Sequence, residues 1–279
     1  MHDYEKFVAD SVAHSVITGK EKRRSDSHGN IIHALSTIED PATHKPALSM
    51  KELLSEAHLL NISGRATTAF LVSALVFYIC HNPRVYKKLT QEIRAAFATP
   101  QDICPGKSLS SCYYLKACIN ETFRMAPPGT GDFPRKILRP GATIDGIFYP
   151  AGTVVGISEW AAGYNEAIYH DAGAYRPERW IMCEDGPSAD EVEVLKAGFH
   201  PFSQGPGKCP GQQIAMTELM MILGRTLHRA DIRLTPGSTL GEGAPGLGWG
   251  RRRRDQYQLE DLFLAAREGP SVQFKRRAV

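Results

Sequence analysis

The chain has 279 residues, 42% of them apolar and 23% charged, and its 33 Lys and Arg against 30 Asp and Glu give a formal net charge of +3. That length can bury a sizeable core as one large domain or two small ones, and the balance is that of a soluble globular protein. So mild a charge excludes a dedicated nucleic-acid surface, although basic residues gather toward the C-terminal end.

Cys80, Cys104, Cys112, Cys118, Cys183 and Cys209 form no C-x-x-C pair, and their spacing does not suit zinc. They read as free thiols, most of them small core hydrophobes. In chain order, Val8, Val12 and Val16 recur every four residues and predict an amphipathic helix from the start, with no apolar stretch there for a signal or anchor. A charged loop, GKEKRRSDSHGN, leads into a short helical stretch, IIHALSTIE. Ser49 with Glu52 makes a capping box and predicts a long helix from about Met50 to His81. Its longest apolar run, Ala69 to Cys80, is too short for a bilayer and reads as a buried core helix. Asn61, a formal glycosylation acceptor, falls inside the same buried helix. PRVYKKLTQEIRAAF predicts a second amphipathic helix and SCYYLKACINETFRM a third, stopped at Pro127-Pro128.

The character then changes. ATIDGIFYPAGTVVGIS, with its D-G and P-A-G turns and β-branched flanks, predicts short strands in hairpins. YRPERW and EDGPSADEVE read as irregular, a cysteine loop follows, and GQQIAMTELMMILGRTLHR predicts another apolar helix. The tail, from GEGAPGLGWG through RRRR to PSVQFKRR, reads as loop and short strand, with Arg251 to Arg254 a solvated run. The fold class is α+β, mainly helical, without internal repeats.

Glycine-rich lookalikes fail on context. GEGAPG is followed by arginines instead of a helix, and GPGKC lacks both the earlier glycine and the hydroxyl residue of a phosphate loop. Other features combine better. Glu121 and Arg124 share a helix face at i and i+3, a pair worth about 0.2–0.5 kcal/mol if exposed. Arg179 comes from YRPERW. FSQGPGKCPG places Cys209 among Gly205, Gly207 and Gly211 at the mouth of a helix.

In this order these stretches resemble the C-terminal half of a cytochrome P-450, a haem-thiolate monooxygenase. Phe202, Gly205, Cys209 and Gly211 are similar to the family's F-x-x-G-x-[RH]-x-C-x-G loop, ETFR to its E-x-x-R helix and PERW to its P-E-R-F/W segment. SGRATT is similar to its [AG]-G-x-[DE]-T-T oxygen-activation motif, and the style of PAGT, PERW and CPG resembles fungal secondary-metabolite members. The resemblance implies haem, with Cys209 as the iron ligand whose thiolate pushes electron density and favours O–O cleavage. Glycines would let the backbone lie flat on the porphyrin, and the amides of Gly211 and Gln212 would tune the sulfur. Glu121, Arg124 and Arg179 would be a buried network bracing the cysteine loop, and Gly64 and Thr67 would serve oxygen activation. Arg135 and Lys208 would meet haem propionates. Electrons would come from NADPH through a flavin reductase, and the substrate would be an apolar small molecule.

The departures carry expectations too. Ala66 stands where the family has Asp or Glu, and Arg65 cannot donate its proton instead. Gly207 stands where it has Arg or His. The chain is expected to be one truncated domain: helix-rich over 1–128, small strands, meander and haem-binding loop over 129–215, and apolar helix with terminal strands over 216–279. The N-terminal helices and anchor would be absent, the chain would span no membrane, and the apolar helices would be left exposed on one side. Localisation would be cytoplasmic or peripheral to the endoplasmic reticulum. The alternative function is a catalytically impaired haem-binding remnant.

Overall fold

Residues 2–21, 31–182, 187–248 and 250–277 are described by a computed structural model of the chain; Cys183 and most of the charged loop before Ile31 lie outside them. Contacts divide the chain into two compact units, 1–66 and 67–279. In the first, helix α1 (His2–Glu21) is set by its valine repeat: Val8 and Val12 are buried against Leu53 and Ala57, while the side chain of Val16 is not among those described. Helix α2 (Ile31–Ser36) packs its Ile32 and Leu35 on the same cluster. The capping box forms as expected: the Ser49 amide donates to Glu52 Oε2 at 2.8 Å, and the Glu52 amide donates to Ser49 Oγ at 3.3 Å. It opens helix α3 (Met50–His81).

The helix holds, but its burial differs from expectation. Phe70, Leu71, Ala74, Leu75, Phe77, Tyr78 and Ile79 are buried. Upstream, Leu59, Leu60, Ile62, Ser63 and Gly64 are exposed, so Asn61 does not sit in a buried stretch. The apolar composition also runs further than Ala69 to Cys80. By length and composition alone α3 could cross a membrane, with an 18-residue window of mean hydropathy 1.5, and half of that window is buried inside the structure.

In the second unit Asn82-Pro83 breaks the helix, and α4 (Pro83–Ala96) buries Val85, Leu89 and Ile93. A short α5 (Lys107–Ser110) precedes α6 (Tyr113–Met125), which is buried along most of its length. Nothing in the sequence near Cys112 caps α6. Glu92 of α4 does so, accepting from the amides of Tyr114 and Leu115 at 2.8 Å each.

Small antiparallel pairs follow. β1 (Arg135–Lys136) pairs with β4 (Val154–Val155), and β2 (Ala142–Ile144) with β3 (Ile147–Tyr149) across the expected D-G turn, where Asp145 and Gly146 both have positive φ. Helix α7 (Glu159–Gly163) leads to a 3₁₀ turn over Pro177–Trp180, so YRPERW is not wholly irregular. EDGPSADEVE departs further: Ala189–Ala197 is helix α8, opened by a second capping box between Ser188 and Glu191. Helix α9 (Gln212–Arg229) packs with α4 and α6. Arg94 fastens its far end, donating to Leu227 O at 2.9 Å and to Asp231 at 2.6 Å. β5 (Ala230–Leu234) pairs with β8 (Val272–Arg276), and β6 (Glu260–Leu262) with β7 (Leu264–Ala266). No helix follows the GEGAPG glycines among the described residues. The arginine run is exposed as expected, with local partners such as Asp255 for Arg253 at 2.6 Å.

Candidate haem-thiolate site

Helical spacing places Glu121 and Arg124 on one face of α6, and both side chains are fully buried. An isolated buried carboxylate would be prohibitive, so its partners decide whether the arrangement stands. Glu121 Oε1 accepts from Arg124 Nη2 at 2.7 Å, the Arg176 amide at 2.9 Å and Arg179 Nε at 3.0 Å. Oε2 accepts from Arg124 Nε at 3.0 Å and the Trp180 indole at 2.8 Å. Burial works to raise the Glu121 pKa, but the Arg124 and Arg179 charges and these hydrogen bonds outweigh it and hold the carboxyl below its ordinary value. The arginines' remaining N–H groups go to carbonyls: Arg124 to Gly163, Ala172 (2.8 Å) and Ala174 (3.1 Å), Arg179 to His170 (2.9 Å) and Asp171 (3.2 Å). One carboxylate and two guanidiniums thus pin the 163–180 segment to α6.

The network reaches the cysteine loop through aromatic rings. Trp180, which donates to Glu121, packs on Phe199 with centroids 4.5 Å apart. Phe123 of α6 meets Phe202 edge to face at 5.0 Å. Trp180, Phe199 and Phe123 are the supporting residues that motif reading misses; the tryptophan of PERW was the available signal, since a buried indole N–H usually finds a partner.

At the loop itself the Cys209 amide donates to Phe202 O at 2.8 Å, closing 202–209 into a turn that carries the thiol outward. Cys209 is exposed, whereas Cys112 and Cys118 are buried; burial pushes the Cys112 thiol up to about 11 and raises that of Cys118 as well. Gly205 has φ +65 and open space where a Cβ would project. At Gly207 a Cβ would lie 3.2 Å from Arg135 Nη2, and at Gly211 it would lie 3.6 Å from Cys209 Sγ. Gly211 starts α9 without a side-chain cap, so the helix's first amides and positive end stand beside the sulfur.

Arg135 is therefore at the loop. Lys208 lines a neighbouring hollow of about 350 Å³ with Phe199, Phe202, Gly205 and Gln212. Gly64 and Thr67 lie one turn apart on α3; Gly64 is exposed, with nothing within 4 Å of a Cβ position, and Thr67 is half-buried.

Among the described residues no cluster of three or more His, Cys, Asp or Glu is placed to hold a metal. A lone exposed thiol suits a metal whose other ligands come with its cofactor, as a porphyrin supplies them. The open face at Gly205, the bare approach at Gly211 and the guanidinium beside the loop fit a flat, anionic-edged haem.

The cytochrome P-450 family model matches residues 1–243. A cytochrome P-450 monooxygenase of Gibberella zeae is 33% identical over 98% of this chain and 61% of its own length. The apf8 cytochrome P-450 monooxygenase of Gibberella fujikuroi is 34% identical over 94% of this chain and 70% of its own. A crystal structure of a cytochrome P-450 superposes with a TM-score of 0.73 at 18% identity, over 98% of this chain and 56% of that one. The chain spans between 42% and 71% of the length of eight of the curated relatives it matches. Matched by that family's model over most of its length and about a third identical to its members, the chain belongs to the cytochrome P-450 family.

Proposed function

We propose that the chain carries the haem-binding and oxygen-activating part of a monooxygenase that acts on an apolar small molecule in fungal secondary-metabolite biosynthesis. The observation that supports this most is the exposed thiol of Cys209 on an open, glycine-bearing loop at the start of α9, backed by a satisfied buried network. When bound, haem would activate dioxygen with two electrons from NADPH, delivered by a flavin reductase, and two protons drawn from solvent, so that one oxygen atom enters the substrate and the other leaves as water.

The residues divide the remaining work. Cys209 would ligate the iron, with the Gly211 and Gln212 amides moderating its charge. Phe202 holds the loop against α6, and Gly205 keeps its face clear. Arg135 and Lys208 would offset the carboxylates of the haem edge. Gly64 leaves a notch on α3, and Thr67 Oγ1 would hold a proton and pass it on. Ala66 stands where the family has an acid, so the proton supply would run through water or substrate. The protein would work in the cytoplasm or at the surface of the endoplasmic reticulum.

Ala66 also favours a second reading, a haem-binding protein that does not turn over. Reconstituting the chain with haem, a flavin reductase and NADPH under ¹⁸O₂, with a panel of apolar compounds, separates the two. Monooxygenase function predicts a product carrying one labelled oxygen, lost in Cys209→Ser. NADPH oxidation without labelled product would sink it.

A further inference from the structure

Helix α3 ends on His81, a half-buried imidazole whose ring lies on that of Phe77 with centroids 4.0 Å apart. Its two nitrogens face two oxygens. Nδ1 is 2.9 Å from the carbonyl oxygen of Phe77, and Nε2 is 3.3 Å from Glu242 Oε1. A carbonyl and an ionised carboxylate only accept, so a neutral imidazole would turn a lone pair toward one of them. The imidazolium, with an N–H on each nitrogen, satisfies both. The end of a helix favours a cation there as well, because its last carbonyls carry the negative end of the dipole.

The other groups around the ring agree. Hydrogen bonds from Arg253 hold the Asp255 carboxyl below its ordinary value, and the His81 charge acts on it in the same direction. Arg253 directs its own charge to Asp255, at 2.6 and 3.0 Å. Burial pushes the Cys80 thiol up to about 11 and the Tyr257 phenol up to about 12, so both stay neutral. Glu242 belongs to a strap over the core. The amides of Gly243 and Ala244 donate to Arg253 O (3.1 Å) and Arg251 O (2.9 Å), and that of Gln258 to Gly241 O (2.8 Å). On the same strap Tyr257 is buried against Phe77, with centroids 4.9 Å apart. The side chains of His81 and Glu242 are only 12% and 14% exposed, so water and salt screen this pair far less than a surface one.

We propose that His81 and Glu242 form a proton-operated latch: the imidazolium ties the strap over 241–244 and 251–258 to the end of α3, and loss of its proton lets that strap loosen. A glutamate ordinarily ionises at about pH 4.3, and an imidazole changes charge between about pH 5 and pH 8. The latch is therefore closed at about pH 6 and opens as pH rises, since it is the cation that leaves. It uses only residues of the chain and needs no cofactor.

The test is hydrogen exchange of the full chain, read by mass spectrometry at about pH 6 and about pH 8.5 and corrected for intrinsic rates. Opening the latch predicts protection of the 241–244 and 251–258 amides about 5- to 10-fold lower at the higher pH, with the α6 amides unchanged. Glu242→Gln and His81→Gln each remove the ion pair, so each should show the lower protection at both pH values. Unchanged protection of α6 shows that the variants are folded. Nitrogen NMR of the imidazole should find both His81 nitrogens protonated at about pH 6. A strap whose protection does not change with pH in the wild type would overturn the proposal. So would a singly protonated ring at about pH 6, or a pH dependence that persists in either variant and so belongs to another group.

Discussion

Glu121 keeps its charge in a place without water because two arginines and an indole face it. Glu121→Gln leaves both guanidiniums buried against a neutral amide and is expected to cost about 3–5 kcal/mol in urea unfolding, the range for breaking a buried pair. Glu178 offers a pH test nearer the surface. Burial alone would raise its pKa, but hydrogen bonds from Arg84 (2.7 Å) and the Tyr114 hydroxyl (2.8 Å) bring it from the ordinary 4.5 down to about 2. A carboxylate whose pKa is lower in the folded state stabilises above its unfolded value, and that stability is lost as pH falls through the folded one. Wild-type stability should therefore fall between about pH 4.5 and pH 2, beyond what the other carboxylates cause. Glu178→Gln should be about 1–2 kcal/mol less stable at neutral pH, given the exposure of Arg84, and should lose less across that window. An unchanged slope in acid unfolding would contradict the assignment. The grouping of Glu121, Arg124 and Arg179 was legible because the three occupy fixed motif positions. Arg176, whose backbone amide completes Glu121, and the Phe123–Phe202 contact were not, since neither side chain's chemistry announces it.

At the scale of elements, local rules succeed where the determinant is local. The Ser49–Glu52 box and the D-G turn each hold in the structure, and the Ser188–Glu191 box would have revealed α8 by the same rule. Strands of two or three residues, such as β1 and β4, carry too few side chains for alternation to register. The α6 cap is supplied 22 residues away, by Glu92, so no window around Cys112 contains it. Glu92→Ala should leave two buried helix-end amides unsatisfied and lower stability by about 1–2 kcal/mol, read as a lower Tm by circular dichroism. A melting curve matching the wild type would show that water replaces the carboxylate at no cost. The exposure of α3 around Asn61 agrees with the expectation that apolar helices would be left exposed on one side; only the placing of Asn61 in a buried stretch fails, because a helix's periodicity says which face is apolar and not what covers it.

At the scale of the molecule, the core of 67–279 gathers α3, α4, α6 and α9 behind the segment that carries Cys209. The order of motifs made the family visible in the sequence; the aromatic bridge from Glu121 to the loop, and the arrival of Arg135 at Gly207, required the fold. The central claim is that Cys209 is an iron ligand, and one measurement addresses it most directly. The chain is loaded with haem, reduced and exposed to carbon monoxide, and the difference spectrum is recorded alongside Cys209→Ser and, as a control at another exposed thiol, Cys104→Ser. The account predicts the strongly red-shifted Soret band of a thiolate-ligated adduct in the wild type and in Cys104→Ser, and its loss in Cys209→Ser. A band at the ordinary imidazole-like position in the wild type, or a red-shifted band that survives Cys209→Ser, would contradict it.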